Sequence, residues 1–67
     1  HIPSFAETEE SDKEIIGDML FLAKKIAKEQ GLAERGYRLI FNVGREAGQT
    51  IPHLHLHLMG GKRLPFE

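Results

Sequence analysis

From His53 to Met59 histidine and leucine alternate: His53-Leu54-His55-Leu56-His57-Leu58-Met59. A period of two sends successive side chains to opposite faces of a β-strand. The run is therefore expected to be half-buried, with Leu54, Leu56 and Leu58 on a core face. His53, His55 and His57 would share the other face. Three imidazoles with no other polar residue between them are hard to explain by packing, so this face is where chemistry is expected.

The chain can hold one thin domain. At 67 residues it buries only about 60% of the surface its unfolded form exposes, and it has no cysteine to staple it. Nine Lys and Arg against ten Asp and Glu give a net charge of −1, which argues against broad electrostatic capture of nucleic acid or acidic membranes. No apolar run approaches the roughly 20 residues that span a bilayer, and no signal-peptide pattern is present. The expected setting is cytoplasmic. The chain begins His1-Ile2-Pro3 without methionine, as a fragment or a processed chain would.

Residues 1 to 10 form a leading segment ending in the acidic Glu7-Thr8-Glu9-Glu10. Ser11 followed by Glu14 matches a capping box, and apolar residues then fall in two adjoining helical stripes. One is Ile15, Met19, Leu22 and Ile26; the other is Ile16, Leu20, Ala23 and Ala27. Lysines gather in the second half and Gly31 stands where a left-handed residue stops a helix. The pattern predicts a helix over 12–30. Its two stripes are wider than this chain can cover, and Phe21 projects elsewhere, among Glu14, Lys25 and Lys28. A packing partner is expected for this surface.

Ala33-Glu34-Arg35-Gly36 reads as a loop and Tyr37 to Val43 as a strand, rich in aromatic and β-branched residues. Tyr37, Leu39, Phe41 and Val43 would lie on one face, with Arg38, Ile40 and Asn42 on the other. Gly44 to Thr50 is a glycine-punctuated turn into the histidine strand, whose start tolerates Pro52. Antiparallel pairing of the two strands would bring Asn42, the end of the turn and the histidines together. Gly60-Gly61 ends the second strand, before a polar tail over 62–67.

Four uses of the histidine face compete. It is a histidine-decorated solvent face, a metal site, a nucleophile, or a binding pocket without turnover. Imidazole is a common zinc ligand, and His1 and Glu46 are further possible donors. Yet His53 and His57 would lie about 13 Å apart on a straight strand at roughly 3.3 Å per residue, too far to share one ion. A neutral imidazole attacks phosphorus well when its other nitrogen is fixed by a hydrogen bond. His55, flanked by two histidines, suits that role best. Gly48-Gln49-Thr50 just upstream offers backbone, amide and hydroxyl donors for phosphate.

At these residues the chain resembles the histidine-triad (HIT) superfamily of nucleotide hydrolases and transferases, with motif His-φ-His-φ-His-φ-φ, φ being apolar. His53 to Met59 fits every position. The likeness extends to the Hint branch through His1-Ile2, Gly36-Tyr37-Arg38, Asn42-Val43-Gly44, Gly48-Gln49-Thr50 and Gly60-Gly61-Lys62. It implies an α+β, HIT-like fold: an antiparallel sheet with one long helix packed on it, residues 1–67 being a single, partial domain without its N-terminal strands. It implies hydrolysis of purine nucleoside 5′-phosphoramidates and related adenylates, without metal or other cofactor. His55 matches the nucleophile that forms a nucleotidyl-histidine intermediate. His53 and His57 match residues that orient it and contact phosphate, and His1 matches the fourth histidine of the site. Asn42, Gly48, Gln49 and Thr50 match residues that bind ribose or phosphate, Thr50 near the leaving group. Leu56 and the two histidines beside it complete the substrate contacts for an AMP-like nucleotide.

The same resemblance implies a homodimer through helix 12–30. The tail Leu64-Pro65-Phe66-Glu67 departs from the Trp-Pro-Pro-Gly-like ending of the Hint branch. An intact third histidine, His57, argues against the uridylyltransferase branch, and Gly60-Gly61 against the dinucleoside-polyphosphate hydrolase branch. That hydrolase remains one alternative, and a non-catalytic nucleotide-binding or scaffold protein another.

Overall fold

The helix forms where the apolar stripes place it, α1 running Lys13–Glu29, within one residue at each end of the 12–30 expected. In this computed structural model, which describes residues 2–49 and 53–62, its start differs from the Ser11–Glu14 capping box. Ser11 lies inside a single 3₁₀ turn, Glu10–Asp12, that leads straight into α1. The turn is closed by the acidic side chain on its own last residue: the Glu9 N–H donates to Asp12 Oδ2 at 2.9 Å. The Asp12 N–H in turn donates to the Glu9 carbonyl at 2.8 Å.

The helix stops as the sequence suggests. Gly31 adopts φ +76°, a region that costs a side chain bearing Cβ about 1–2 kcal/mol. The Leu32 N–H then reaches back to the Ala27 carbonyl at 2.8 Å and the Gly31 N–H to the Lys28 carbonyl at 3.1 Å. These two bonds make a Schellman motif, which satisfies carbonyls the helix end would leave orphaned.

Strands β1 (Tyr37–Ile40) and β2 (His57–Gly60) pair antiparallel. Tyr37 sits opposite Gly60, Arg38 opposite Met59, Leu39 opposite Leu58 and Ile40 opposite His57. Leu39 and Leu58 therefore share one face, and Ile40 and His57 the other. Both strands are shorter than the sequence suggests. The ladder ends at the Ile40–His57 pair because His53–Leu56 turn to a different partner, the Leu54 N–H donating to the Ile2 carbonyl at 2.6 Å. Phe41 leaves the ladder as well, and its ring stacks on Phe5 with centroids 5.7 Å apart.

Gly60 is fixed by packing. A Cβ there would lie 3.0 Å from Leu32 Cδ1, so the residue after the helix stop can lie directly over the strand. The turn from Gly44 holds a short 3₁₀ segment, Arg45–Ala47, and leaves it through Gly48 at φ +90°.

The core is thin, as the length demands. Ala23 and Ala27 are the buried apolar residues of α1, at 5% and 0% exposure. The wide helical stripe stays largely uncovered, with Ile15 52%, Leu22 57% and Ile26 40% exposed. Phe21 shares a surface hollow with Lys25 and Lys28 as expected, and Lys24, outside the expected set, rests its ammonium 5.7 Å from the ring centroid. Among the described residues no helix is long and apolar enough to cross a membrane.

Candidate functional site

Histidines 55 and 57 meet. Their Nε2 atoms lie 3.1 Å apart, with the rings edge to face at 73° and 4.7 Å between centroids. The other nitrogen of His55, Nδ1, lies 2.9 Å from the main-chain carbonyl of His53. That pair of contacts assigns the tautomers. A carbonyl only accepts, so Nδ1 of His55 carries the proton and donates. In the neutral ring Nε2 then bears the lone pair, and His57 supplies the N–H that points at it. His55 is half-buried and His57 exposed.

The three histidines are thus not equivalent members of one strand face. His57 belongs to β2, whereas His53 and His55 precede it outside the ladder. His53 is exposed, and what it presents to His55 is its carbonyl. No group of three or more His, Cys, Asp or Glu among the described residues is arranged to hold a metal ion.

Beside the histidines runs an open groove of about 270 Å³, where Met19, Leu22 and Ile26 of α1 face Leu54, Leu56 and Leu58, with His55 in its lining. Leu56, read as a substrate contact, lines this groove together with His55.

The Gly44–Gln49 turn is tied off on itself. The Gly48 N–H donates to the Arg45 carbonyl at 3.0 Å and the Gln49 N–H to the Gly44 carbonyl at 3.1 Å. The backbone N–H groups of Gly48 and Gln49 are therefore taken up by the turn, the first in a 3₁₀-type i→i−3 bond and the second in a wider bond that closes the turn on Gly44. The Gln49 carboxamide accepts from the Gly44 N–H at 2.8 Å and donates to the Pro3 carbonyl at 2.6 Å. Asn42 is half-buried two residues beyond β1. His1 and Thr50 lie outside the described residues, as do Pro52 and the tail over 63–67.

Two parts singled out in the sequence thus converge on the chain start at Ile2 and Pro3: the glycine turn through Gln49 and the histidine run through Leu54. Neither Ile2 nor Pro3 stood out in the sequence as a site residue. Both act through main-chain carbonyls, which carry no side-chain signature. Pro3 gives one hint, since a residue without an N–H can serve a neighbour only as an acceptor.

Comparison with known proteins matches this arrangement to one family. A family model described as HIT domain matches residues 1–64. An uncharacterized HIT-like protein from Buchnera aphidicola subsp. Baizongia pistaciae is 49% identical over 63 residues, 94% of this chain and 56% of its own length. The purine nucleoside phosphoramidase of Escherichia coli K12 is 43% identical over 63 residues, 94% of this chain and 53% of its own. A crystal structure of a HIT family hydrolase from Legionella pneumophila superposes with a TM-score of 0.96 at 42% identity, covering 98% of this chain and 59% of that one. The chain spans about half the length of the curated relatives it matches.

Proposed function

This chain belongs to the HIT domain family, and on that premise we propose that the protein hydrolyses purine nucleoside 5′-phosphoramidates and related adenylates through a nucleotidyl-histidine intermediate on His55. Residues 1–67 are read as one portion of a single HIT domain. The observation that carries the reading is the hydrogen-bonding of His55: Nδ1 donates to the His53 carbonyl, which leaves the Nε2 lone pair as the nucleophile. Donation from Nδ1 pushes electron density toward Nε2 and stabilises the cation that forms on attack. The phosphoramidase activity named for the 43% identical Escherichia coli relative supports the substrate class.

In the proposed reaction the Nε2 lone pair forms a bond to the α-phosphorus and the bond from phosphorus to the departing amine breaks. The amine leaves with a proton drawn from solvent, Thr50 being the hydroxyl assigned beside it. Water then attacks phosphorus, the phosphorus–Nε2 bond breaks, and the nucleoside monophosphate departs while water gives back the proton used in the first step. The N–H of His57, turned away from His55, donates to a phosphate oxygen. Asn42, Leu56, Gly48 and Thr50 line the nucleotide, and His1, bonded to Ile2, completes the set. The uncovered apolar side of α1 supports a homodimer through the helix.

The test is to incubate the intact protein with adenosine 5′-phosphoramidate and search for an AMP adduct by mass spectrometry. An adduct on His55, absent from His55→Ala, is the expected result, with turnover lost in the variant and nucleotide binding largely kept. Near-normal turnover by His55→Ala overturns the mechanism. Binding without product release by the native protein favours a non-catalytic nucleotide-binding module.

A further inference from the structure

We infer that Gln49 is a positioning residue for His55, acting through Ile2 and Pro3 to fix the one peptide group on which the His55 ring is hung. The inference rests on the reading of His55 as the nucleophile. It also gives Gln49 a task different from the nucleotide contact its place in the sequence suggests.

The bonds run in series. Gln49 is held to Gly44 twice, by its main-chain N–H to the Gly44 carbonyl at 3.1 Å and by its Oε1, which accepts the Gly44 N–H at 2.8 Å. Two attachments to one residue leave the carboxamide little freedom, and its Nε2 points at the Pro3 carbonyl, 2.6 Å away. The preceding carbonyl, of Ile2, accepts the Leu54 N–H at 2.6 Å. The turn and the histidine run thus grip adjacent carbonyls of one short segment.

The last link is geometric. The Leu54 N–H and the His53 carbonyl are two ends of the same peptide group. A trans peptide is planar and points these ends in opposite directions, and no cis peptide occurs among the described residues. Fixing the N–H against Ile2 therefore fixes the direction of the carbonyl, which receives the Nδ1 proton of His55 at 2.9 Å. A peptide that donates at one end accepts better at the other. Orientation and tautomer of the His55 ring both follow from where Ile2 is held, and Gln49 holds it.

Two variants of the intact protein test this. Gln49→Glu keeps the length and the acceptor for the Gly44 N–H, but loses the donor and sets a carboxylate against the Pro3 carbonyl. Gln49→Met keeps the length and removes both polar ends. With adenosine 5′-phosphoramidate, kcat is expected to fall about tenfold or more with KM unchanged, since a displaced reactive group costs rate more than binding. Amide exchange at Leu54, followed by NMR, is expected to speed up about tenfold as its hydrogen bond loosens, with the amides of α1 as protected as in the native protein. Several outcomes overturn the inference. A raised KM at unchanged kcat makes Gln49 a nucleotide contact. Unchanged Leu54 exchange removes the link, whatever happens to kcat, and loss of α1 protection in both variants makes the role a general structural one. If the native protein turns over no phosphoramidate, the reading of the reaction fails, and Leu54 exchange alone decides whether Gln49 holds the segment.

Discussion

The Nε2 atoms of His55 and His57 lie 3.1 Å apart, and hydrogen bonding elsewhere on the His55 ring dictates which of them donates. Because Nδ1 of His55 is committed to a carbonyl, the N–H between the two Nε2 atoms belongs to His57. In the free protein the proposed nucleophile is therefore covered by its neighbour's proton. A phosphate that draws that N–H to its own oxygen exposes the lone pair beside the phosphorus it is to attack.

His57→Ala removes the donor that is proposed to contact the phosphate, while leaving Nδ1 of His55 bound to the His53 carbonyl. The expected result is a fall in kcat/KM of about 100-fold or more, with the His55 adduct still formed, slowly, on adenosine 5′-phosphoramidate. Rapid-quench trapping of the adduct measures it. An unchanged rate of adduct formation removes His57 from the chemistry.

His53→Ala makes the opposite case, since what His53 gives His55 is a main-chain group. Alanine keeps that carbonyl. The expected loss in kcat is less than about tenfold, the range of an ordinary hydrogen bond, and the NMR resonance of the His55 Nδ1 proton should persist. Disappearance of that resonance in the variant would mean that the His53 side chain, rather than its carbonyl, sets the tautomer.

Why the pair was legible and its support was not follows from the kinds of group involved. The histidines and the helix are written in side chains: a period of two at 53–58, and stripes with Gly31 behind them. Strand ends are not written that way. Phe41 and His55 fit a strand pattern as well as Leu39 and His57 do, yet only the latter have a partner opposite, because Leu54 is bonded to Ile2. Ser11 and Glu14 had the right identities for a cap, but a 3₁₀ turn closed by Asp12 came first. The Gln49 carboxamide was legible as a donor, while the carbonyl it meets on Pro3 is the same in every residue type.

Gly31→Ala tests the helix stop. With φ at +76° and nothing within 4 Å of the added methyl, the effect is conformational and not a clash. The variant should lose about 1 kcal/mol of stability, read as a lowered urea midpoint with unchanged slope. Because Leu32 follows in the same motif and packs against Gly60, the loss should appear first in the exchange of the amides around β2. A midpoint equal to that of the native protein would show that the Schellman motif contributes nothing.

Leu22→Asp tests the partner proposed for α1. Leu22 is 57% exposed at the open edge of the groove beside His55, so a carboxylate there meets water in a lone subunit and costs little. Across an apolar interface between two copies the same carboxylate would be buried without a partner, at a cost of several kcal/mol. The variant is therefore expected to sediment as a monomer at micromolar concentration with α1 still folded by circular dichroism, while the native protein sediments as a dimer. Monomeric native protein overturns the homodimer. A dimeric variant moves the interface away from Leu22, leaving the groove beside His55 open to other parts of the chain.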